Sequence, residues 1–365
     1  MDTTNRNNAL SGRLMSLDAL RGFDMFWIIG GEWIFKALRD ISDTQVTQHI
    51  YVQLTHVEWE GFHFYDLIYP LFLFIIGVTL PFALTRRKQM QQSRYSIYLK
   101  IFRRSVLLIL LGSIPSGLLY FDGWPHLGGV LAHIGLCYFF AAPIIMHTEW
   151  RTRAVMVIGF LLLYWMASAL IPVPGHGAGV YTEEGSLASF IDSQFISGRL
   201  WNEGPTSILS GICIILWGSL AGNWLRSGQT AERKAVMLAL SGILCIILGY
   251  LWGFSFPIIK RVVWSSSYVT LACGWSLLFL AIFYWIMDVK GYRKWAFFFI
   301  VIGTNAITIY FLQDVVNFHD IADLFFRGIS ENAGILQPLI LPVGVIAIKW
   351  LFLLFLYRHR LFFKV

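Results

Sequence analysis

The sequence predicts an all-α integral membrane protein, a polytopic bundle of about ten transmembrane helices with both termini in the cytoplasm. Three observations carry this. Hydrophobic residues make up 57% of the 365-residue chain and charged residues only 13%, against about 25% charged in an ordinary globular domain. Apolar stretches near the roughly 20 residues that a bilayer requires recur along the whole chain. The basic residues fall overwhelmingly on one side of those stretches. In lipid every backbone polar group must be satisfied within its own segment, so the stretches are helices rather than open strands.

The expected spans lie near 17–38, 66–85, 101–121, 127–147, 154–172, 206–225, 235–253, 263–287, 296–316 and 335–357. The first has no small-residue cleavage site after it and is read as a retained span. The connection 85–104 carries Arg86, Arg87, Lys88, Arg94, Lys100, Arg103 and Arg104. The connections 147–153, 226–234 and 288–294 and the C-terminal tail are also basic. With Arg6, Arg13 and Arg21, one side collects most of the 28 Lys and Arg, and that side is the cytoplasm. The net charge of +7 is this bias, so a nucleic-acid partner is not expected. Three longer connections, 39–65, 173–205 and 317–334, face outward, and loops of that length are commonly functional. No internal repeat, low-complexity segment or second soluble domain is visible, so residues 1–365 form one transmembrane domain. The four cysteines, Cys137, Cys213, Cys245 and Cys273, sit in apolar stretches without metal-ligand spacing and read as small hydrophobes.

Charges inside the first span come next. At 100° per residue, Asp18, Arg21, Asp24 and Glu32 share one face about 120° wide, with Glu32 about 16 Å along the axis from Arg21. Intramembrane charges are costly and normally face a bundle interior or a water-filled cavity. Asp18, Arg21 and Asp24 read as buried ion pairs near the cytoplasmic end. Glu32, toward the outer end with only Lys36 as a nearby cation, reads as functional.

The outward segment THVEWEGFHFYD (55–66) crowds His56 and His63 against Glu58, Glu60 and Asp66 beside the second span. A histidine with a carboxylate neighbour suits general-base chemistry near neutral pH. Their seven-residue separation matches no zinc spacing, so no metal is expected. His133, in GVLAHIG, and His126 are further candidates. For His133 two readings stand, a hydrogen bond between packed helices or a place in a cavity wall.

Eight pieces of the chain, in order, resemble the heparan-α-glucosaminide N-acetyltransferase family. They are SLDALRGFDMFWIIGGE (16–32), HVEWEGFHFYDLIYPLFLFIIG (56–77), RRSVLLILLG (103–112), GGVLAHIGLCYF (128–139), GPTSILSGICIILWGSLAG (204–222), WSSSYVTL (264–271), MDVKG (287–291) and GTNAITIYF (303–311). The resemblance implies a transmembrane acyltransferase. Such an enzyme moves an acetyl group from cytosolic acetyl-CoA to the amine of a glucosamine-type sugar or glycan on the far side of the membrane. It implies His56 as the catalytic histidine, with Glu32 at the position where the lysosomal enzyme has an asparagine partner. The family's arginine in the GVL-x-x-IG piece is His133 here. The resemblance also implies a homodimer. With no targeting extension in the sequence, the expected location is the cell inner membrane, with the catalytic loop facing the periplasm or exterior.

On this reading Arg103 and Arg104 either meet the CoA phosphates or serve as ordinary positive-inside anchors. Asn305 either donates to the thioester or acceptor, or makes an interhelical hydrogen bond. Asp66 is either a helix-start residue favoured by the dipole or a contact for the substrate amine. Transfer through an acetyl-histidine and direct transfer in a ternary complex both stay open. The rival function is a secondary transporter of a sugar or small anion, which the missing repeat symmetry disfavours.

Overall fold

A computed structural model describes residues 14–115, 129–195 and 203–362. His126, Arg6 and Arg13 lie outside the described residues. Every regular element among the described residues is a helix, and the only strand-like pairings there are two isolated bridges, Glu60 with Ile259 and Val173 with Gly177.

The chain opens with α1 (Met15–Phe26), a π-turn at Trp27–Gly31, and α2 (Glu32–Ile41), followed by the short α3 (Gln45–Gln53). Then come α4 (Phe64–Gln89), α5 (Arg94–Ser113), α6 (Val130–His147), α7 (Trp150–Leu170) and the short α8 (Leu187–Phe195). The second half holds α9 (Ser207–Leu225), α10 (Ala231–Gly253), α11 (Ser266–Tyr284), α12 (Phe297–Thr304), α13 (Ala306–Val315), α14 (Phe318–Glu331) and α15 (Gln337–Arg358). Where ten spans were expected, the described residues hold 7 helices long and apolar enough to cross a membrane, or 8 if the bent pair α12–α13 counts as one span.

The expected span 101–121 is met by α5, which begins at Arg94 and is not among those 7 helices, and two other expected spans differ in form. The stretch 17–38 is broken by the π-turn, where Gly30 adopts φ 124°, a conformation that costs other residues strain. The carbonyl of Ile29 at this break accepts a hydrogen bond of 2.8 Å from the buried Lys349 of α15, whose ammonium also reaches Gln313 Oε1 at 3.2 Å. The stretch 296–316 bends by 59° at Asn305. An asparagine side chain competes with the helical ladder for backbone groups, which suits this residue to a break.

Close backbone approach fixes α4, the helix that begins at the candidate site. It packs on α9 through facing glycines, where a Cβ on Gly218 would overlap the Phe74 carbonyl and one on Gly77 would overlap the Ile215 carbonyl. Small residues that let helices approach closely are the usual means of packing where no water drives burial. Gly218→Leu should therefore force the pair apart, costing about 1–3 kcal/mol or more by overpacking. A fall in the thermal-unfolding midpoint of the detergent-purified protein checks this, and an unchanged midpoint would contradict it.

Of the first-span charges, Asp18 and Asp24 are buried, and Arg21 and Glu32 are half-buried. Arg21 pairs with Asp18 at 3.6 Å. Asp24 is fully buried, and neither of its carboxylate oxygens has a hydrogen-bond partner among the described residues, so the expected ion pairing does not extend to a direct contact there.

Candidate active site

The loop between α3 and α4 carries His56 to the start of α4, and the start of α4 holds it there. Asp66, in the first turn of α4, has two tasks. Its Oδ2 accepts the backbone N–H of His63 at 3.0 Å and of Val57 at 3.4 Å. This is the back-reaching half of a capping box, which satisfies a donor the helix start would otherwise leave free. Its Oδ1 lies 2.7 Å from His56 Nδ1. The Asp66 side chain is 2% exposed and that of His56 50%, so a buried carboxylate orients a half-open imidazole. A carboxylate at Nδ1 selects the tautomer that donates there and leaves Nε2 as acceptor. His56 Nε2 has no hydrogen-bond partner among the described residues.

His63 has a structural task, contacting the Thr55 carbonyl through Nδ1 at 2.9 Å. The Phe64 N–H is taken by Gln53 Oε1 at 3.0 Å. Together these contacts tie the His56 loop to both flanking helices.

A second loop, between α10 and α11, closes over the first. Gly61 N–H donates to the Ile258 carbonyl at 2.8 Å, and Glu60 bridges Ile259. This brings Lys260 Nζ to 3.1 Å from His56 Nδ1 and 3.6 Å from Asp66 Oδ1. Burial lowers the Lys260 ammonium from its ordinary range, with Asp66 and Glu203 opposing that shift. Burial likewise raises the Glu203 carboxyl, with Lys260 pulling it back.

Glu203 sits on a turn fixed by Asp192, whose oxygens accept Thr206 N–H at 3.0 Å and Thr206 O–H at 3.1 Å. Burial pushes Asp192 up to about 6. Because this folded-state value lies above the ordinary carboxylate range, its contribution to stability is full at low pH and lost as pH rises through about 6. The expected outcome is a melting midpoint that declines between pH 4 and pH 7, about the window set by the two values, and a flatter profile in Asp192→Asn. An equal decline in the variant would contradict it.

His56, Lys260 and Glu203 line the head of a cavity of about 280 Å³. Its walls are apolar, formed by Met25 and Ile28 near the first break, Ile68 and Phe72 of α4, Val130, Leu131 and Ile134 of α6, and Ile307 of α13. Tyr65, Tyr69 and Tyr310 add hydroxyls. The cavity is lined mainly by hydrocarbon, with a base, a carboxyl and an ammonium among its lining groups.

The other expected site residues take the following places. Glu32 accepts from Lys36 at 3.0 Å and faces the Tyr65 hydroxyl. The Tyr65 ring in turn lies 4.9 Å from the His56 ring. The carboxylate bonded to His56 is thus Asp66, and Glu32 stands one residue behind, through Tyr65. His133 is buried, hydrogen-bonded to the Tyr69 hydroxyl and, at 2.9 Å, to Ser207 Oγ. Of its two expected readings, the hydrogen bond between packed helices is the one seen. Asn305 donates to the Leu361 carbonyl at 3.2 Å and is not among the cavity's lining residues. Arg103 is exposed, and Arg104 stacks its guanidinium over Tyr138 at 4.7 Å. Neither lines the cavity. No cluster of three or more His, Cys, Asp or Glu suited to a metal occurs among the described residues.

Sequence reasoning missed Lys260, Glu203 and the tyrosines. For Lys260 a signal existed. It is a cation in a connection between two apolar stretches, four residues before the family-like piece WSSSYVTL.

Fold and site together define a polytopic helical membrane protein with a histidine–carboxylate pair at the head of an apolar cavity. Comparison with known proteins narrows this. Residues 13–162 match a family described as a domain of unknown function, DUF5009. The human protein named heparan-alpha-glucosaminide N-acetyltransferase is 26% identical over an alignment covering 99% of this chain and 61% of its own length. The mouse protein of the same name is 25% identical over 99% of this chain and 62% of its own. Over nearly its whole length the chain is thus similar to these heparan-alpha-glucosaminide N-acetyltransferases, the resemblance that the eight ordered pieces carry. It spans about three-fifths of the length of the curated relatives it matches.

Proposed function

We propose that this protein is a transmembrane N-acetyltransferase that moves the acetyl group of acetyl-CoA to the amine of a glucosamine-type sugar. The observation that carries this reading is the His56–Asp66 pair, 2.7 Å apart, at the head of an apolar cavity in a chain related to named acetyltransferases. The cavity suits the donor. A pantetheine arm is slender, with methylenes and a dimethyl group that apolar walls can pack against and amides that the lining hydroxyls can meet, and the cavity of about 280 Å³ offers both. The half-exposed His56 then faces the acceptor from the outward side.

The chemistry follows from the geometry. The sugar amine attacks the thioester carbon, forming the C–N bond. His56 Nε2 takes the amine proton, and the resulting imidazolium is held by Asp66 in a charge-assisted hydrogen bond. As the C–S bond breaks, that proton passes to the leaving sulfur and free CoA is released. Glu32, through Tyr65, buttresses the His56 ring. The loop bearing His56 faces the exterior and both termini the cytoplasm, so donor and acceptor arrive from opposite sides.

The test uses proteoliposomes loaded with radiolabelled acetyl-CoA and bathed in glucosamine. Labelled N-acetylglucosamine appearing outside, with CoA retained inside, is the expected result. Movement of sugar across the bilayer without consumption of acetyl-CoA would replace the enzyme with a transporter.

A further inference from the structure

A lysine held 3.1 Å from the nitrogen of a base is costly. Burial strips a strongly hydrated ammonium of water, and its charge opposes protonation of the neighbouring imidazole. The protein nevertheless fixes Lys260 there with unusual care. Two non-glycine residues just beyond it, Val262 at φ 50° and Trp264 at φ 47°, adopt the left-handed conformation. For a β-branched residue such as Val262 that is a genuine outlier, and strain of this kind persists only where the surroundings over-determine it. Here they do. Ile259 N–H donates to Ser265 Oγ at 3.0 Å, and Ser265 N–H returns to the Ile259 carbonyl at 3.0 Å. The Tyr164 hydroxyl holds the Val263 carbonyl. Ser267 Oγ donates to the Phe256 carbonyl at 2.6 Å, and Trp264 is fully buried. The loop is bound on both sides of one side chain, and that side chain lines the catalytic cavity.

We infer that Lys260 is a catalytic residue whose ammonium donates a hydrogen bond to the carbonyl oxygen of the acyl thioester as it becomes an oxyanion. This rests on the acetyltransferase reading. Attack by the amine turns the thioester carbonyl into a tetrahedral centre with a full charge on oxygen, and a fixed donor in a desolvated site stabilises that charge without reorganising. The ammonium and the base are neighbours on one cavity wall. A carbonyl oxygen about 3 Å from Nζ therefore leaves the carbonyl carbon close to an amine bonded to His56 Nε2. Asp66 and Glu203 oppose the lowering of the Lys260 ammonium by burial. When the C–S bond breaks, the carbonyl reforms and the lysine is released unchanged.

The experiment compares wild type with Lys260→Met and Lys260→Arg in steady-state acetyl transfer across the accessible pH range. Each variant's melting midpoint and binding of labelled CoA are measured alongside. The expected result for Lys260→Met is a kcat loss on the order of 10²–10³-fold at every pH. The KM for acetyl-CoA should stay within about threefold of wild type. Lys260→Arg, which keeps a cationic donor, should recover most of the loss. Should Lys260→Met not assemble, Lys260→Gln serves the same comparison. A kcat within about threefold of wild type would overturn the assignment. So would a loss recovered by raising the pH, which would mean that the lysine acts on the base and not on the substrate oxygen. A wild-type protein inactive toward every amino sugar would instead overturn the reading on which the assignment stands.

Discussion

His56→Ala should lower kcat for acetyl transfer by about 10²–10⁴-fold, the usual worth of a positioned general base, while leaving CoA binding and the melting midpoint near wild type. His56 is half exposed, and its polar contacts among the described residues are all made at Nδ1, so its removal opens no core. Its loss frees Asp66 Oδ1, but Lys260 remains 3.6 Å away to offset that charge. The assay is initial-rate transfer to glucosamine, with labelled-CoA binding in parallel. Retained transfer would move the base elsewhere, and Glu32, behind Tyr65, is the next group to test. Rapid-quench trapping of labelled acetyl-protein in wild type, absent in the variant, would decide between an acetyl-histidine and direct transfer.

Asp66→Asn is expected to be nearly as damaging to kcat, by on the order of 10²–10⁴-fold, and mild for stability. Asparagine is isosteric, and its single carbonyl oxygen can still accept the His63 N–H that starts α4. It then has no acceptor left for His56 Nδ1, and its amide presents a donor there instead. That selects the wrong imidazole tautomer and removes the charge that stabilises the imidazolium. The helix-start role of Asp66 and its hold on His56 thereby separate in one variant. A melting midpoint and a rate that fall together would assign Asp66 to the helix start alone. A rate that falls by itself assigns it to His56.

The parts of this architecture legible in the sequence are those encoded locally. Hydropathy marked α4, α6, α7, α9, α10, α11 and α15 because each must bury an apolar run on its own account. The cluster at 56–66 stood out because ionisable groups rarely border a span without cause. His56 and Asp66 are ten residues apart and both were in view. Their bond was not, because a carboxylate in the first turn of a helix already has a sufficient explanation, and nothing local shows that its second oxygen is spent differently. Glu32 drew attention as the outer charge of the first span. The π-turn at Trp27–Gly31 interrupts the regular periodicity between Arg21 and Glu32, so a straight-helix projection cannot aim that side chain.

Lys260 is 204 residues from His56. Tertiary contacts bring the two loops together, among them the packing of α4 and α11, the Gly61–Ile258 hydrogen bond and the bridging of Glu60 to Ile259. The bend at Asn305 is likewise tertiary. The residues around it read as one continuous span, and the asparagine shows its effect only once it has the Leu361 carbonyl to bind.

The most direct test of the central claim is product formation by the purified wild-type protein in detergent, given labelled acetyl-CoA and glucosamine. The account predicts labelled N-acetylglucosamine and free CoA in equal amounts, with no metal requirement. Absence of transfer to any amino sugar, from a protein that still binds CoA and melts cooperatively, would contradict it.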